Sequence, residues 1–394
     1  MNLVENKIEC CGCGVCVASC PTNAIELLPD EYGFLYPKID GNKCIGCKKC
    51  ERVCAYKNSN LKINEQKIFA VSNKNDLELK NSTSGGAFIV LANWILDKDG
   101  FVYGCAWDSN IQAHHIEINS KSDLYKLQGS KYVQSNTTNI FPNVKKRLDD
   151  GEYVLFSGTP CQCDALKSFL NKEYEKLYCV ELVCHGVPNQ KMFSDYIELF
   201  EKQNKSKVLD FHFRDKKLGW GALINIEHQN SKGKTKHTYL KPEECYYYYY
   251  FFYKGLFFRE SCYNCKYANK NRQSDFTIGD FWGAKGMYPE FLNCDGVSLL
   301  IVSTQKGLNV LNELRKYMLI EESSFESASI ENGQLIKPSS KNENYYSLLE
   351  EYNRIGAEQF SKQYLNTHKK TVLIGKIKRI LPSGLKEKLK IFIK

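Results

Sequence analysis

Eight cysteines near the start of the chain have a spacing that binds iron–sulfur clusters. They form two runs of the pattern Cys-x-x-Cys-x-x-Cys-x-x-x-Cys, and Pro21 follows the first run. In bacterial ferredoxins this spacing holds two 4Fe-4S cubanes, and the fourth cysteine of each run binds the other cluster. We therefore predict one cluster on Cys10, Cys13, Cys16 and Cys54, and a second cluster on Cys44, Cys47, Cys50 and Cys20.

Two other uses of these cysteines fit the sequence less well. A disulfide framework requires secretion, but the N-terminus is polar and has no apolar signal segment. Zinc ribbons use paired Cys-x-x-Cys units and lack this triple spacing. Eighteen cysteines without a secretory signal instead predict a reducing, cytoplasmic location. Two residues depart from the ferredoxin pattern: Cys11 is an additional thiol, and Ala55 stands where a second proline is usual.

The chain is much longer than a cluster-binding domain requires. Its 394 residues are 43% hydrophobic, so a large folded core can follow the clusters. The net charge of +9 comes mostly from lysine, and no module with interleaved arginines and aromatic residues occurs, so we expect no nucleic acid as a partner. The positive surface fits docking of an acidic redox protein such as a ferredoxin. Residues 369–394 are basic and amphipathic, which fits either peripheral membrane or partner contact, or a solvated terminal helix.

A glycine-bearing loop between a strand and a helix predicts an anion site. Residues 68–72 form the predicted strand, and Ser84-Gly85-Gly86 leads into an apolar helix over residues 87–96. The free N–H groups of such a helix end suit a phosphate, although a simple helix cap is the alternative interpretation. Lys131 follows in a polar loop, where it either meets a phosphate or flavin ring or is a solvated surface lysine.

Four later cysteines predict a third metal site. Cys161 and Cys184 each follow a predicted buried strand, over residues 153–157 and 177–183, and each precedes a helix. Ligands gather at the carboxyl ends of such strands in α/β sheets. A Cys-x-x-Cys pair further along completes a set of four thiols: Cys161, Cys184, Cys262 and Cys265. Other cysteines lie in or beside apolar patterns and are predicted core residues: Cys105, Cys179, Cys245 and Cys294.

The remaining chain offers fewer chemical signals. Residues 246–258 are almost wholly aromatic, which favours a packed core or interface helix over base stacking, because no basic residues alternate with them. A core strand at 297–303 and a helix at 306–318 follow, and from residue 321 onward we predict polar, helical chain.

Taken in order, these motifs resemble the coenzyme F-420 hydrogenase/dehydrogenase beta-subunit family over roughly residues 1–305. The motifs are Ser84-Gly85-Gly86, Gly129-Ser130-Lys131-Tyr132, Gly158-Thr159-Pro160-Cys161-Gln162, Cys184-His185-Gly186, Cys262-x-x-Cys265 and Gly279-Asp280-Phe281-Trp282. The resemblance implies FAD, with its phosphates at Ser84, Gly85 and Gly86 and its flavin near Lys131. It also implies that Asp280 and Trp282 line the flavin pocket, and that the four later cysteines hold a third 4Fe-4S cluster.

The predicted fold class is α+β: an N-terminal bacterial-ferredoxin-like 2x(4Fe-4S) domain fused to a mixed α/β flavin-binding domain. The predicted regions are a ferredoxin-type domain at 1–60, a flavin-binding region at 67–150, a region with the third cluster at 151–305, and a helical, basic tail at 306–394.

The predicted function is that of an iron–sulfur flavoprotein oxidoreductase. Electrons would pass between a ferredoxin-like donor, the 4Fe-4S clusters and FAD, to or from a small organic acceptor such as a deazaflavin. A flavin is expected because clusters carry single electrons, whereas most organic substrates exchange pairs. The alternatives are a non-catalytic electron-transfer subunit and an accessory protein of surface-polysaccharide biosynthesis. No catalytic residue is assigned from the sequence.

Overall fold

A computed structural model describes residues 3–58 and 65–367, so the basic tail predicted at 369–394 lies outside the described residues. The chain mixes helices and strands behind an N-terminal ferredoxin-type unit, which confirms the α+β fold class. The strands are β1 Ile25–Pro29, β2 Leu35–Ile39, β3 Lys67–Asn73, β4 Phe101–Trp107, β5 Ala113–Ile118, β6 Val154–Gly158, β7 Leu177–Leu182, β8 Ser206–Asp215, β9 Leu223–Asn230, β10 Thr235–Leu240, β11 Phe276–Asp280, β12 Ser298–Val302 and β13 Met318–Ser323. The α-helices are α1 Val15–Ala18, α2 Lys49–Arg52, α3 Ala55–Asn58, α4 Asp76–Lys80, α5 Ala87–Leu96, α6 Ile140–Asp149, α7 Pro160–Leu170, α8 Gln190–Asn204, α9 Ala284–Met287, α10 Gln305–Leu314, α11 Phe325–Ser329 and α12 Tyr345–Thr367.

An eight-stranded mixed sheet organises the larger part of the molecule. Its strand order is β13-β3-β12-β11-β7-β6-β4-β5. The four strands β11, β7, β6 and β4 are mutually parallel, so their carboxyl ends lie along one edge. Both faces of the sheet are covered, which explains why β6 and the neighbouring antiparallel strand β12 are buried at every position.

Helices pack on both faces of this sheet. Alternate residues of a strand point to opposite faces, as β4 illustrates. Its Val102 joins the core beneath α5 and α10, whereas its Tyr103 joins the core beneath α6 and α7. The apolar face of each helix supplies the other half of its core, as Val144 and Leu148 do for α6. The central sheet is therefore the middle of three layers.

The cluster-binding unit packs against the face that carries α7. Cys13 and Val15 belong to the same core as α6 and α7. The Ser168 hydroxyl of α7 donates a hydrogen bond to the carbonyl of Val53 at 2.8 Å, and Thr137 Oγ1 donates to the carbonyl of Cys13 at 2.8 Å. These contacts bring the first cysteine run against the main domain.

A second core is built on aromatic side chains. Strands β8, β9 and β10 form a separate antiparallel sheet, and α8 and α12 pack near it. The aromatic run forms a π-helix, Tyr247–Tyr253, in which Tyr247 and Phe251 are fully buried. The prediction that residues 246–258 form a packed core is confirmed. No helix within residues 3–58 and 65–367 has both the length and the apolar character needed to cross a membrane.

The prediction for the chain after residue 306 was wrong in one part. The helix ends at Leu314, and β13 then pairs antiparallel with β3 at the edge of the large sheet. Because an edge strand is half exposed, its glutamates are tolerated, and the polar composition hid the strand.

Gly85 has a structural role that predicts a stability effect. A Cβ atom at this position would overlap the backbone carbonyl of Val71 and the backbone N–H of Ser298. Gly85→Ala should therefore lower the free energy of unfolding by about 1–3 kcal/mol through overpacking, measured by urea unfolding. Gly286→Ala is the matched control, because a Cβ atom there meets nothing within 4 Å. Equal unfolding midpoints for the two variants would contradict this role.

Candidate functional site

A cavity of about 290 Å³ opens at the carboxyl edge of the parallel strands. Cys161 lies in the first turn of α7 directly after β6, Cys184 lies two residues after β7, and Asp280 ends β11. All three residues line the cavity, as expected for ligand sites in sheets of this kind.

A capping box fixes Cys161 at the start of α7. Gln162 Oε1 accepts a hydrogen bond from the backbone N–H of Thr159 at 2.9 Å. The Thr159 hydroxyl lies 3.2 Å from Cys161 Sγ. Gln162 Nε2 donates to Ser135 Oγ at 3.0 Å, which joins this turn to the polar loop that contains Lys131.

Cys262 and Cys265 reach the same cavity from a short 3-10 helix, Glu260–Asn264. The backbone N–H of Cys262 donates to the carbonyl of Arg259 at 2.8 Å, and the N–H of Arg259 donates to the carbonyl of Val187 at 3.0 Å. The first bond fixes the turn before the Cys-x-x-Cys pair, and the second ties that turn to the segment that follows Cys184.

The four thiols form one buried group. Burial raises the pKa of Cys184 to about 12 and that of Cys265 to about 11, and the neighbouring Cys161 adds to both shifts. Burial also raises the pKa of Cys262, with Cys184 as the next cause. In the described ranges, no three or more His, Cys, Asp or Glu side chains are placed to hold a single metal ion. A cubane is larger, and each thiolate binds a different iron, so four thiols around a shared cavity fit an iron–sulfur cluster.

Comparisons with known proteins assign two regions of the chain. Residues 151–328 match the family model for the C terminus of the coenzyme F420 hydrogenase/dehydrogenase beta subunit, and residues 9–58 match a 4Fe-4S dicluster domain. The dicluster domain predicted from the sequence is thereby confirmed, and so is the resemblance to the beta-subunit family, which the match places on residues 151–328.

One relative of this chain is the coenzyme F420-dependent sulfite reductase of Methanocaldococcus jannaschii. The two are 25% identical over 343 residues, which is 82% of this chain and 49% of the relative. The chain thus spans about half the length of the curated relative it matches. A solved structure of the F420-reducing NiFe hydrogenase complex from Methanosarcina barkeri is 17% identical, with a TM-score of 0.44 over 80% of this chain and 93% of that chain.

In the dicluster domain the two predicted sets of cysteines differ in exposure. Burial raises the pKa of Cys16 to about 12, and the nearby thiols of Cys10 and Cys54 add to the shift. Cys47 of the other set is exposed. The backbone N–H of Ala24 donates to Cys20 Sγ at 3.2 Å, a hydrogen bond that suits a cluster ligand. One predicted cluster therefore lies inward and the other lies near solvent.

Most of the residues predicted to contact FAD line the same cavity as the four thiols. Gly86 begins α5 with a φ of 77°, and the Ser84 hydroxyl donates to the carbonyl of Val297 at 2.8 Å. The Lys131 amine donates to the carbonyls of Lys126 and Gln128 at 3.0 and 2.8 Å, and burial lowers its pKa. Gly85 does not line the cavity; it lies instead against the backbones of β3 and β12.

Asp280 and Trp282 line the cavity and contact two residues that the sequence analysis missed, Arg214 and Trp220, which are not themselves part of the lining. Arg214 Nη1 donates to Asp280 Oδ2 at 3.0 Å, and Trp220 Nε1 donates to Asp280 Oδ1 at 3.0 Å. The rings of Trp220 and Trp282 stack with centroids 4.6 Å apart, and the Arg214 guanidinium lies 5.1 Å from the Trp282 ring centroid. Asp280 thus holds Arg214 and Trp220 next to Trp282 at the end of β11.

Three cysteines besides the predicted four line the cavity: Cys11, Cys13 and Cys105. Cys179 and Cys245 are buried in the core as predicted, whereas Cys105 and Cys294 are only partly buried and pack against the edge of a core cluster. Cys11 was visible in the sequence as a departure from the ferredoxin pattern.

Proposed function

We propose that this chain is an iron–sulfur flavoprotein that passes electrons between a ferredoxin-like donor and an organic acceptor. The observation that carries the proposal is the shared cavity. Four thiols suited to a third cluster line it together with Ser84, Gly86 and Lys131, the residues expected at FAD. Cluster and flavin would then be neighbours, as electron transfer between them requires.

The chain's own groups suit the parts of such a cofactor. The N-terminus of α5 begins at the cavity with free N–H groups and the positive end of a ten-residue helix, which favours phosphate. A lysine ammonium has three donors, and Lys131 uses two on backbone carbonyls, so one is available to the cavity. When bound there, a flavin would supply the conversion between single electrons and electron pairs.

A deazaflavin is the acceptor class that the curated relative favours. That relative is named for dependence on coenzyme F420. Trp282 lines the cavity and its ring stacks on that of Trp220, an arrangement that suits a flat aromatic molecule. Asp280 holds both Arg214 and Trp220 in place by hydrogen bonds.

Anaerobic reconstitution followed by iron and flavin analysis tests the proposal. We expect about twelve irons per chain for three cubanes, and about one flavin. Lys131→Met should weaken flavin binding about tenfold or more, since a hydrogen bond from a charged group contributes about 1.5–3 kcal/mol. Lys126→Met is the control, because its exposed amine pairs with Asp123 while its backbone carbonyl still holds Lys131. A reconstituted chain without flavin would contradict the proposal.

A second candidate function is a non-catalytic electron-transfer subunit. The chain matches only about half of the length of the sulfite reductase, which favours this function. In that case a partner protein would supply the acceptor site. The exposed Cys47 also suits exchange of electrons with another protein. Steady reduction of a deazaflavin by the purified chain and reduced ferredoxin favours the first function, and reduction only when a partner is added favours the second.

A further inference from the structure

Arg259 is a buried cation that contacts the dicluster domain. Its side chain is 0% exposed, although arginine is seldom buried unless it is paired. No ion pair joins it to a carboxylate in the part of the chain that the structure describes. A buried charge is costly unless other groups compensate it, so its surroundings should supply negative charge.

The guanidinium lies against a predicted cluster ligand. Nε donates to the carbonyl of Cys10 at 2.6 Å, and Nη2 lies 3.4 Å from Cys10 Sγ. The remaining contacts carry no full charge: Gln134 Oε1 lies 3.4 Å from Nη1, and the Tyr36 ring centroid lies 4.1 Å from Cζ. The Cys10 thiolate and its cluster are therefore the negative charge that Arg259 faces.

The backbone of the dicluster domain makes room for this contact. Gly12 has a φ of 69°, and a Cβ atom there would lie 2.8 Å from Arg259 Nη1. The backbone carbonyl of the same arginine accepts a hydrogen bond from the N–H of Cys262 at 2.8 Å. Arg259 thus contacts both the inner ferredoxin-type site and the segment of the third site.

We propose that Arg259 raises the reduction potential of the cluster on Cys10, Cys13, Cys16 and Cys54. Reduction adds one electron to this cluster, and so one negative charge beside the guanidinium. The positive guanidinium stabilises the reduced state by charge attraction and by its hydrogen bond to the Cys10 sulfur. A higher potential at the inner cluster draws electrons from the exposed cluster toward the third site. This inference goes beyond the proposed function, because it needs the dicluster domain and not the flavin.

Redox titration of the holoprotein followed by electron paramagnetic resonance tests the effect. Arg259→Met keeps the length of the side chain and removes the charge, and it should disfavour reduction of one cluster at least tenfold, a shift of about 59 mV to lower potential. Arg259→Lys should recover most of that shift. Tyr36→Phe is the control and should leave the potential unchanged, because it retains the ring beneath the guanidinium. An unchanged potential in an Arg259→Met protein with full iron content would overturn the proposal.

A second measurement does not depend on how well the methionine variant folds. In the unaltered chain labelled with 15N-arginine, the reduced inner cluster should show nitrogen hyperfine coupling, and Arg259→Lys should abolish it. Absence of the coupling overturns the proposal even if Arg259→Met loses its iron. Neither measurement requires bound flavin, so a flavin-free chain refutes the proposed function and leaves this test intact.

Discussion

Cys161→Ala should lower the iron content by about four atoms per chain, whereas Cys163→Ala should leave it unchanged. Both residues lie in α7, two positions apart, so the pair separates loss of a ligand from disturbance of the helix. Cys161 lines the cavity with the other three thiols. Cys163 is 1% exposed, and its thiol donates toward the carbonyl of Val180, away from the cavity.

Cys11 decides how this experiment is designed. It lies beside Cys161, and a hydrogen bond with Cys11 is the main cause of the raised pKa of Cys161. A nearby spare thiol can replace a lost ligand, so each variant is made both alone and with Cys11→Ala. We expect Cys11→Ala alone to keep about twelve irons, and the combination with Cys161→Ala to keep about eight. Iron analysis gives the number of irons, and Mössbauer spectra show whether they belong to 4Fe-4S clusters. Twelve cluster irons in the combined variant would show that Cys161 binds no cluster.

Local sequence patterns predicted the parts of this site that depend on local structure. The spacing of the first eight cysteines is itself the binding pattern, and the match to a 4Fe-4S dicluster domain confirmed the domain it predicts. Buried strands followed by helices placed Cys161 and Cys184 at one sheet edge, because parallel strands end together. Neither inference needed knowledge of which distant segments meet.

The charged groups of the site could not be found in this way. Arg214 and Asp280 are 66 residues apart, and Arg259 and Cys10 are 249 apart. No short-range periodicity encodes such contacts, and β13 was missed because its partner strand is likewise distant in the sequence. A compositional signal was present: arginine is scarce in this chain, yet three arginines are buried near the site, Arg214, Arg259 and Arg272.

The third of these arginines gives the second large expected effect. Arg272→Met should lower the free energy of unfolding by about 3–5 kcal/mol, because it leaves a buried carboxylate uncompensated. Arg272 Nε lies 2.8 Å from Glu181 Oε1, and the two side chains are 2% and 3% exposed. Thr277 Oγ1 donates to the same carboxylate oxygen at 3.0 Å, but a neutral donor cannot replace the lost charge. Urea unfolding of the chain without clusters measures this loss in the free energy of unfolding.

Removing both charges should restore much of that stability. Glu181→Gln combined with Arg272→Met leaves neither charge of this pair in the core. We therefore expect the double variant to be more stable than Arg272→Met alone, even though it carries one more substitution. Arg272 also donates to the carbonyl of Tyr267 at 2.7 Å, which holds the chain between Cys265 and β11 against β7. The double variant should therefore regain its fold while binding the third cluster less completely, since that anchor is still lost. Equal unfolding midpoints for the single and double variants would contradict this expectation. They would show that Arg272 stabilises the fold through its hydrogen bond to Tyr267 and not by compensating the charge of Glu181.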